Sequence, residues 1–245
     1  MNPEQTIDYN HHWMEGIETY RSHPTSRHRR RFVMNALALC DISPETFIFD
    51  YGCGTGLLLI EAKEKFGLRD EQLGGCDISE VGIQEVRQTI ASPYFFHTAF
   101  PELDRPIHVA ICTEVIEHTA DYHKILRWIA AHLASPGHFI LTTPGVPMDP
   151  PDEYYGHIQH FEIEKLAKEV ESLGFIIKAA RLWGYPFFSL QKWLTKRYFD
   201  HIRDNFMLGE LSLKKRVLFN LAYRVYFIHD YIDRGTQIFM CAQKP

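Results

Sequence analysis

Short runs rich in β-branched and aromatic residues alternate along this chain with stretches whose apolar positions recur at helical spacing. The short runs predict strands at 47–51, 73–78, 94–97, 108–113, 138–143, 175–181 and 236–243. Between them the spacing predicts helices over 57–66, 80–91, 122–133 and 162–173. Ser79 stands where an N-cap belongs and Gly174 where a helix-ending glycine belongs. Several early strands are apolar on both faces, as strands buried in a parallel sheet are. The pattern therefore predicts an α/β fold with a doubly wound parallel sheet covered on both sides.

Two regions leave this rhythm. Residues 1–45 precede the first strand and predict a helix over about 26–39. Residues 184–235 separate the last two strands and are dense in Phe, Tyr and Trp. The division expected is an N-terminal helical segment (1–45) over the cofactor site, a core (46–183 and 236–245) and a helical cap or insert (184–235).

Composition narrows the class. Of 245 residues 45% are hydrophobic and 23% charged, ordinary for a globular chain. The net charge of −5 weakens a nucleic-acid reading. No window approaches the ~18 consecutive apolar residues of a membrane span. The first residues lack the basic and apolar regions of a secretory signal. Five cysteines, an odd number without metal-ligand spacing, fit a reducing cytoplasm. The 184–235 segment holds nine Lys or Arg against five Asp or Glu, so it is +4 while the remainder is −9. Its aromatics read first as a small core of their own. A substrate lid, a homodimer surface and a membrane-surface contact are the sharper readings. The run Arg27-His28-Arg29-Arg30-Arg31 reads as a solvated helix face, with a phosphate or anionic-lipid contact as the alternative.

The chemistry starts at Asp50-Tyr51-Gly52-Cys53-Gly54-Thr55-Gly56, which closes the first strand and opens a helix. Glycines there allow a sharp turn, close backbone approach to a ligand, and amides aimed at an anionic group from a helix N-terminus. Asp77 ends the second strand about 20 residues on, where a carboxylate can accept both ribose hydroxyls of a nucleoside. The GxGxG spacing, in place of GxGxxG, speaks against a nicotinamide site.

These motifs resemble those of class I S-adenosylmethionine-dependent methyltransferases. Cys76-Asp77-Ile78-Ser79 resembles their second motif, Glu114-Val115-Ile116-Glu117-His118 their fourth-strand motif, and Pro136 to Pro144 the next. The ubiquinone-biosynthesis O-methyltransferases and their small-molecule relatives are the nearest in pattern. The resemblance implies a Rossmann-like seven-stranded sheet with the last strand antiparallel and a helical insert before it. It implies S-adenosyl-L-methionine as cofactor, with Gly52, Cys53, Gly54 and Gly56 along the methionine part and Asp50 near its amino group. Asp77 would hold the ribose, Ile78 would pack on adenine, and Cys112 or Thr113 would close the pocket. Two positions depart from the family pattern: Phe96-His97-Thr98-Ala99 replaces a Gly-Asp-Ala-like turn, and His108 stands where Asp usually opens the fourth strand. An aromatic N-terminal segment (Tyr9, His11, His12, Trp13) would fold over the cofactor.

On the acceptor side, Glu114, Glu117 and His118 sit at i, i+3 and i+4, past the strand end where open α/β sheets bind ligands. His157 and His160 follow a proline-marked loop (Pro147, Pro150, Pro151) and Tyr154-Tyr155, which reads as an acceptor contact. Methyl transfer to a hydroxyl needs its proton removed, by a histidine or with a divalent metal. His118, His157 and His160 are the candidate bases. Glu114, Glu117, His118 and His160 are a candidate Mg²⁺ or Mn²⁺ set that resembles the one in small-RNA 3′-end ribose methyltransferases. Proximity alone is a third mechanism. The expected activity is O-methylation of a small-molecule acceptor. The alternatives are 2′-O-methylation of an RNA 3′ end and a non-enzymatic nucleoside-binding module.

Overall fold

A computed structural model describes Glu18, residues 20–204 and residues 211–245. The aromatic positions Tyr9, His11, His12 and Trp13 lie outside the described residues, as does Phe206 of the insert.

The seven strands are β1 (Ile48–Tyr51), β2 (Leu73–Asp77), β3 (Phe95–His97), β4 (Ile107–Thr113), β5 (Leu133–Pro144), β6 (Ile176–Gly184) and β7 (Gly235–Lys244). They form one sheet in the order β3-β2-β1-β4-β5-β7-β6. β3, β2, β1, β4 and β5 run parallel, and β7 lies antiparallel to both β5 and β6. All seven strand positions agree with the sequence pattern, and the antiparallel last strand agrees with what the family resemblance implied. Strand order reverses between β1 and β4, and that crevice is where such sheets hold ligands.

Alternation along β1 builds both cores. Phe47, Phe49 and Tyr51 join one cluster, covered by α4 (Tyr122–His132) and α6 (Ile163–Ser172). Ile48 joins the other, covered by α1 (Pro24–Leu37), α2 (Leu57–Phe66) and α3 (Glu80–Thr89). A short helix, α5 (Pro150–Tyr154), follows β5. Between β6 and β7 lie α7 (Phe187–Arg197), α8 (Phe199–Ile202), α9 (Leu213–Val225) and a 3₁₀ turn at Tyr226–Asp230. His108 has its own task at the start of β4: its Nδ1 accepts the Phe47 backbone N–H at 3.0 Å. A neutral imidazole acceptor thus ties the first strand to the fourth at the position the family pattern gives to Asp.

The basic run corrects a sequence expectation, since none of its five residues is fully exposed. α1 is packed among the sheet, α2 and the insert, so each arginine is drawn to a partner on a neighbouring element. Arg30 pairs with Glu61 at 2.9 Å and Arg31 grips Asp230 with two nitrogens at 2.6 and 2.7 Å. Arg27 bonds Asn220 of α9 at 2.7 Å and covers the Tyr223 ring. His28 faces the other way into an aromatic cluster with Phe32, Trp183, Tyr226 and His229.

His28 and His229 are both fully buried, and neither nitrogen of His229 has a hydrogen-bond partner among the described residues. Burial, aided by Arg31, lowers the His28 pKa to about 3. Burial lowers that of His229 to about 4, against the attraction of Asp230. The unfolded chain therefore binds protons that the folded chain refuses between pH 6.5 and about 4. Over that window the pair makes stability fall as pH falls. His229→Gln removes one of the two groups, so its unfolding free energy should decline less steeply than the parent's from pH 6.5 to 4.5 in urea titrations. Parallel slopes would contradict this account of the cluster.

Candidate active site

The glycine loop is held by backbone and by one carboxylate. The Gly52 and Cys53 amides donate to the Cys76 carbonyl at 2.8 and 3.0 Å, fastening the end of β1 to the end of β2. The Gly54 amide donates to Asp77 Oδ2 at 2.7 Å, and Asp77 Oδ1 accepts the Ser79 amide at 2.8 Å. Ser79 in turn caps α3 by accepting the Gly82 amide at 3.1 Å. Gly56, at φ +74°, is the left-handed N-cap of α2. A Cβ on it would also run into Val86 Cγ2, so both backbone and space demand glycine there.

Asp50, the penultimate residue of β1, lies beneath this loop, 2% exposed, and its Oδ1 has no hydrogen-bond partner among the described residues. Burial, with Asp77 as a neighbouring charge, pushes its pKa well above the ordinary carboxylate range. Burial raises that of Asp77 as well, opposed by the backbone amides it accepts. A buried acid with an unpaired oxygen is a receptor for a cation or a strong donor. Cys53 is buried under the loop, and Cys112 is fully buried in the core, so of the pair meant to close the pocket only Thr113 is partly exposed. Ile78 is 56% exposed, its carbonyl bonded to His97 Nε2 at 3.0 Å.

Beyond β4 the chain passes through Glu114 at φ +56°, the single non-glycine residue with positive φ among those described. Such a conformation costs on the order of 1–3 kcal/mol and persists where surroundings enforce it. Here the enforcement is an ion pair with Arg29, a hydrogen bond from Thr142 Oγ1 at 3.0 Å, and the Glu114 amide donating to the Thr142 carbonyl at 2.9 Å. Glu117, fully buried in the following 3₁₀ turn, accepts from Thr143 Oγ1 at 3.1 Å on one oxygen. Its other oxygen has no hydrogen-bond partner among the described residues and lies 4.0 Å from His118 Nε2. Burial and Glu114 push the Glu117 pKa well up.

Hydrogen bonds assign the imidazole tautomers. His118 Nδ1 donates to the Gly156 carbonyl at 3.1 Å, leaving the lone pair on Nε2. His160 Nδ1 donates to the Gly145 carbonyl at 3.1 Å, so its Nε2 accepts from His157 Nδ1 at 2.9 Å and the His157 lone pair is on Nε2. Burial, with His118 next to it, lowers the His157 pKa to about 3, so its ring is neutral. Glu117, His118 and His157 form one group able to hold a cation, and Asp152, His157 and His160 a second. The fold thus splits the expected Glu114, Glu117, His118 and His160 set: Glu114 is taken by Arg29, and His160 belongs with Asp152.

Arg29, Asp152, Thr142 and Thr143 were not singled out in the sequence. Arg29 lay hidden in the basic run, and only the packing of α1 brings it to Glu114. Asp152 ties the histidine loop to the insert, because Lys192 of α7 pairs with it at 3.0 Å while Lys196 pairs with Asp149 at 2.6 Å.

Residues 26–180 match the family model described as a methyltransferase domain. A search of curated protein sequences found no match. Among solved structures, the chain is similar to Haemonchus contortus phosphoethanolamine N-methyltransferase 2 in complex with S-adenosyl-L-methionine. There the TM-score is 0.64 and the identity 17%, over 100% of this chain and 61% of that one. It is similar to the methyltransferase in a complex with the Haloferax volcanii Trm112 activator (TM-score 0.64, 15% identity, 98% and 99% of the two chains). It is also similar to the cyclopropane synthase MmaA2 of Mycobacterium tuberculosis (TM-score 0.62, 12% identity, 98% and 100%).

Gly56→Ala should lower the unfolding free energy by about 1–3 kcal/mol in denaturant titrations, the range for forcing a side chain into strained backbone and a filled space. A loss below about 0.5 kcal/mol would mean that the loop does not need glycine there.

Proposed function

The chain belongs to the methyltransferase-domain family, and from that premise we propose that it methylates a hydroxyl group of a small molecule, with His118 as the base. It is an S-adenosyl-L-methionine-dependent methyltransferase of the class I fold. The acceptor chemistry and the roles of individual residues are the proposal.

The residues fit the cofactor. The loop sets three glycines in left-handed backbone above Asp50, whose buried Oδ1 has no hydrogen-bond partner among the described residues and would take an ammonium group. Asp77, although it accepts two amides, retains lone pairs for the ribose hydroxyls. Gly52, Gly54 and Gly56 would flank the methionine part, and half-exposed Ile78 would cover adenine. When bound, the cofactor supplies a methyl group on a sulfonium, already activated for in-line displacement. Holding donor and acceptor in line contributes on the order of 7–11 kcal/mol.

The observation that carries the base is the His118 ring itself. Its Nδ1 proton is committed to Gly156, so Nε2 is the atom that takes the acceptor's proton, with the buried Glu117 carboxyl 4.0 Å away. Arg29 holds Glu114 away from that proton. The neighbours act on varied acceptors by their names: phosphoethanolamine for one, geranyl diphosphate for another. For this chain the histidine-lined acceptor side favours an oxygen acceptor, whose proton must be removed.

A second reading rests on the group Glu117, His118 and His157, whose ligand atoms lie within 4.8 Å of one another and include a Glu117 oxygen without a hydrogen-bond partner among the described residues. Those three would hold Mg²⁺ or Mn²⁺, which lowers the pKa of a bound hydroxyl. The RNA-type four-ligand set would need Glu114 released from Arg29, and this disfavours the RNA acceptor.

Two measurements test these assignments. Asp77→Ala should weaken S-adenosylhomocysteine binding at least about tenfold by calorimetry, since it removes two charge-assisted contacts and the loop tether. Unchanged affinity would refute the assignment. His118→Ala should lower kcat about 10²–10⁴-fold and abolish the acidic limb of the pH–rate profile, while the parent keeps its activity in EDTA. Activity lost to EDTA and restored by Mn²⁺ would replace the base with the metal reading.

A further inference from the structure

The insert turns its aliphatic residues outward. In α9 Phe219 is the single buried residue, packed with His23 against α1. On the opposite face Leu213, Val217, Leu221 and Val225 recur every fourth position and are 43–78% exposed, with Leu218 beside them at 48%. A soluble helix buries such a stripe, and one left facing outward marks an interaction surface.

Charge says what kind. α9 carries Lys214, Lys215, Arg216 and Arg224 and no acidic residue, in a chain whose net charge is −5. An aliphatic stripe flanked by cations complements a surface that is apolar inside and anionic outside. A second copy of the chain would set cations against cations across a two-fold axis. Nucleic acid would satisfy the cations and leave the aliphatic stripe in water, because leucine and valine neither stack on bases nor bond phosphates. No described helix is long and apolar enough to cross a membrane, so the contact would be peripheral.

We propose that α9 is a membrane-docking helix that lays the Leu213–Val225 stripe into the headgroup boundary of an anionic lipid bilayer. The proposal goes beyond the methyl-transfer reading and does not depend on which acceptor is used. The inner face of α9 binds α1 through Arg27, Asn220 and Tyr223, and α1 carries Arg29 to the cleft, so the docking helix is fixed to the same body as the site.

The test is flotation of the full chain with vesicles. The chain should float with phosphatidylcholine–phosphatidylglycerol vesicles, much less with phosphatidylcholine alone, and less in high salt. The double variant Val217→Glu, Leu221→Glu should bind the mixed vesicles at least about tenfold more weakly, while its thermal unfolding and S-adenosylhomocysteine binding match the parent's. A parent that stays with the pellet, or a double variant that floats equally well, overturns the proposal. So does a parent dimer that the double variant dissolves, which would give the stripe to a second copy, or binding to a short RNA in place of vesicles.

Discussion

The carboxylate of Asp77 grips two turns at once. One oxygen takes the Gly54 amide of the loop after β1, the other takes the Ser79 amide that begins α3. Because β1 and β2 are parallel neighbours in register, Tyr51 lies beside Cys76, and the Cys76 carbonyl takes two further amides from the loop. The loop is therefore shaped before any ligand arrives, with its glycines packed against Val115 and Val86 and Asp50 sealed beneath it. Preorganisation of this kind lowers the ordering cost of binding. It also explains why Gly82 has no side chain: a Cβ there would sit 2.9 Å from the Gly54 carbonyl carbon and push α3 off the loop.

The acceptor side is governed by charge in the same way. Two carboxylates, Glu114 and Glu117, follow β4 within one turn, and left alone they would repel. Arg29 neutralises the first, while burial and that neighbour favour the protonated form of the second. The histidine loop is anchored from outside through Lys192 and Asp152. N-terminal helix and insert, both outside the alternating core, thus each contribute an ion pair that shapes the cleft.

The strands were legible because their two-faced apolar runs are a local property, and so was the glycine loop, whose residues are consecutive. The boundaries moved by a few residues where pairing extends beyond the pattern, as in β5 and β6. What could not be read was anything made by distant segments. Arg29 looked like one of several solvated arginines until α1 was placed. Glu114 and His160 looked like partners in one metal set, but the turn after β4 sends Glu114 to Arg29, and the Gly145 carbonyl directs His160 toward Asp152. The insert's aromatics read as a small core. Phe219 and Tyr226 are buried, but against α1 through His23 and His28, whereas Trp193, Tyr198 and Tyr231 stand exposed. Cys112 sat in the right motif, but alternation along β4 turns it into the core.

The central claim is that the loop 52–56 and Asp77 receive the nucleoside cofactor together. A ¹H–¹⁵N spectrum of the labelled chain titrated with S-adenosylhomocysteine addresses it amide by amide. The amides of Gly52, Gly54, Gly56, Asp77 and Ile78 should shift first and saturate together with one dissociation constant. Shifts clustered elsewhere in the chain, or a loop that stays unmoved at saturating ligand, would contradict it.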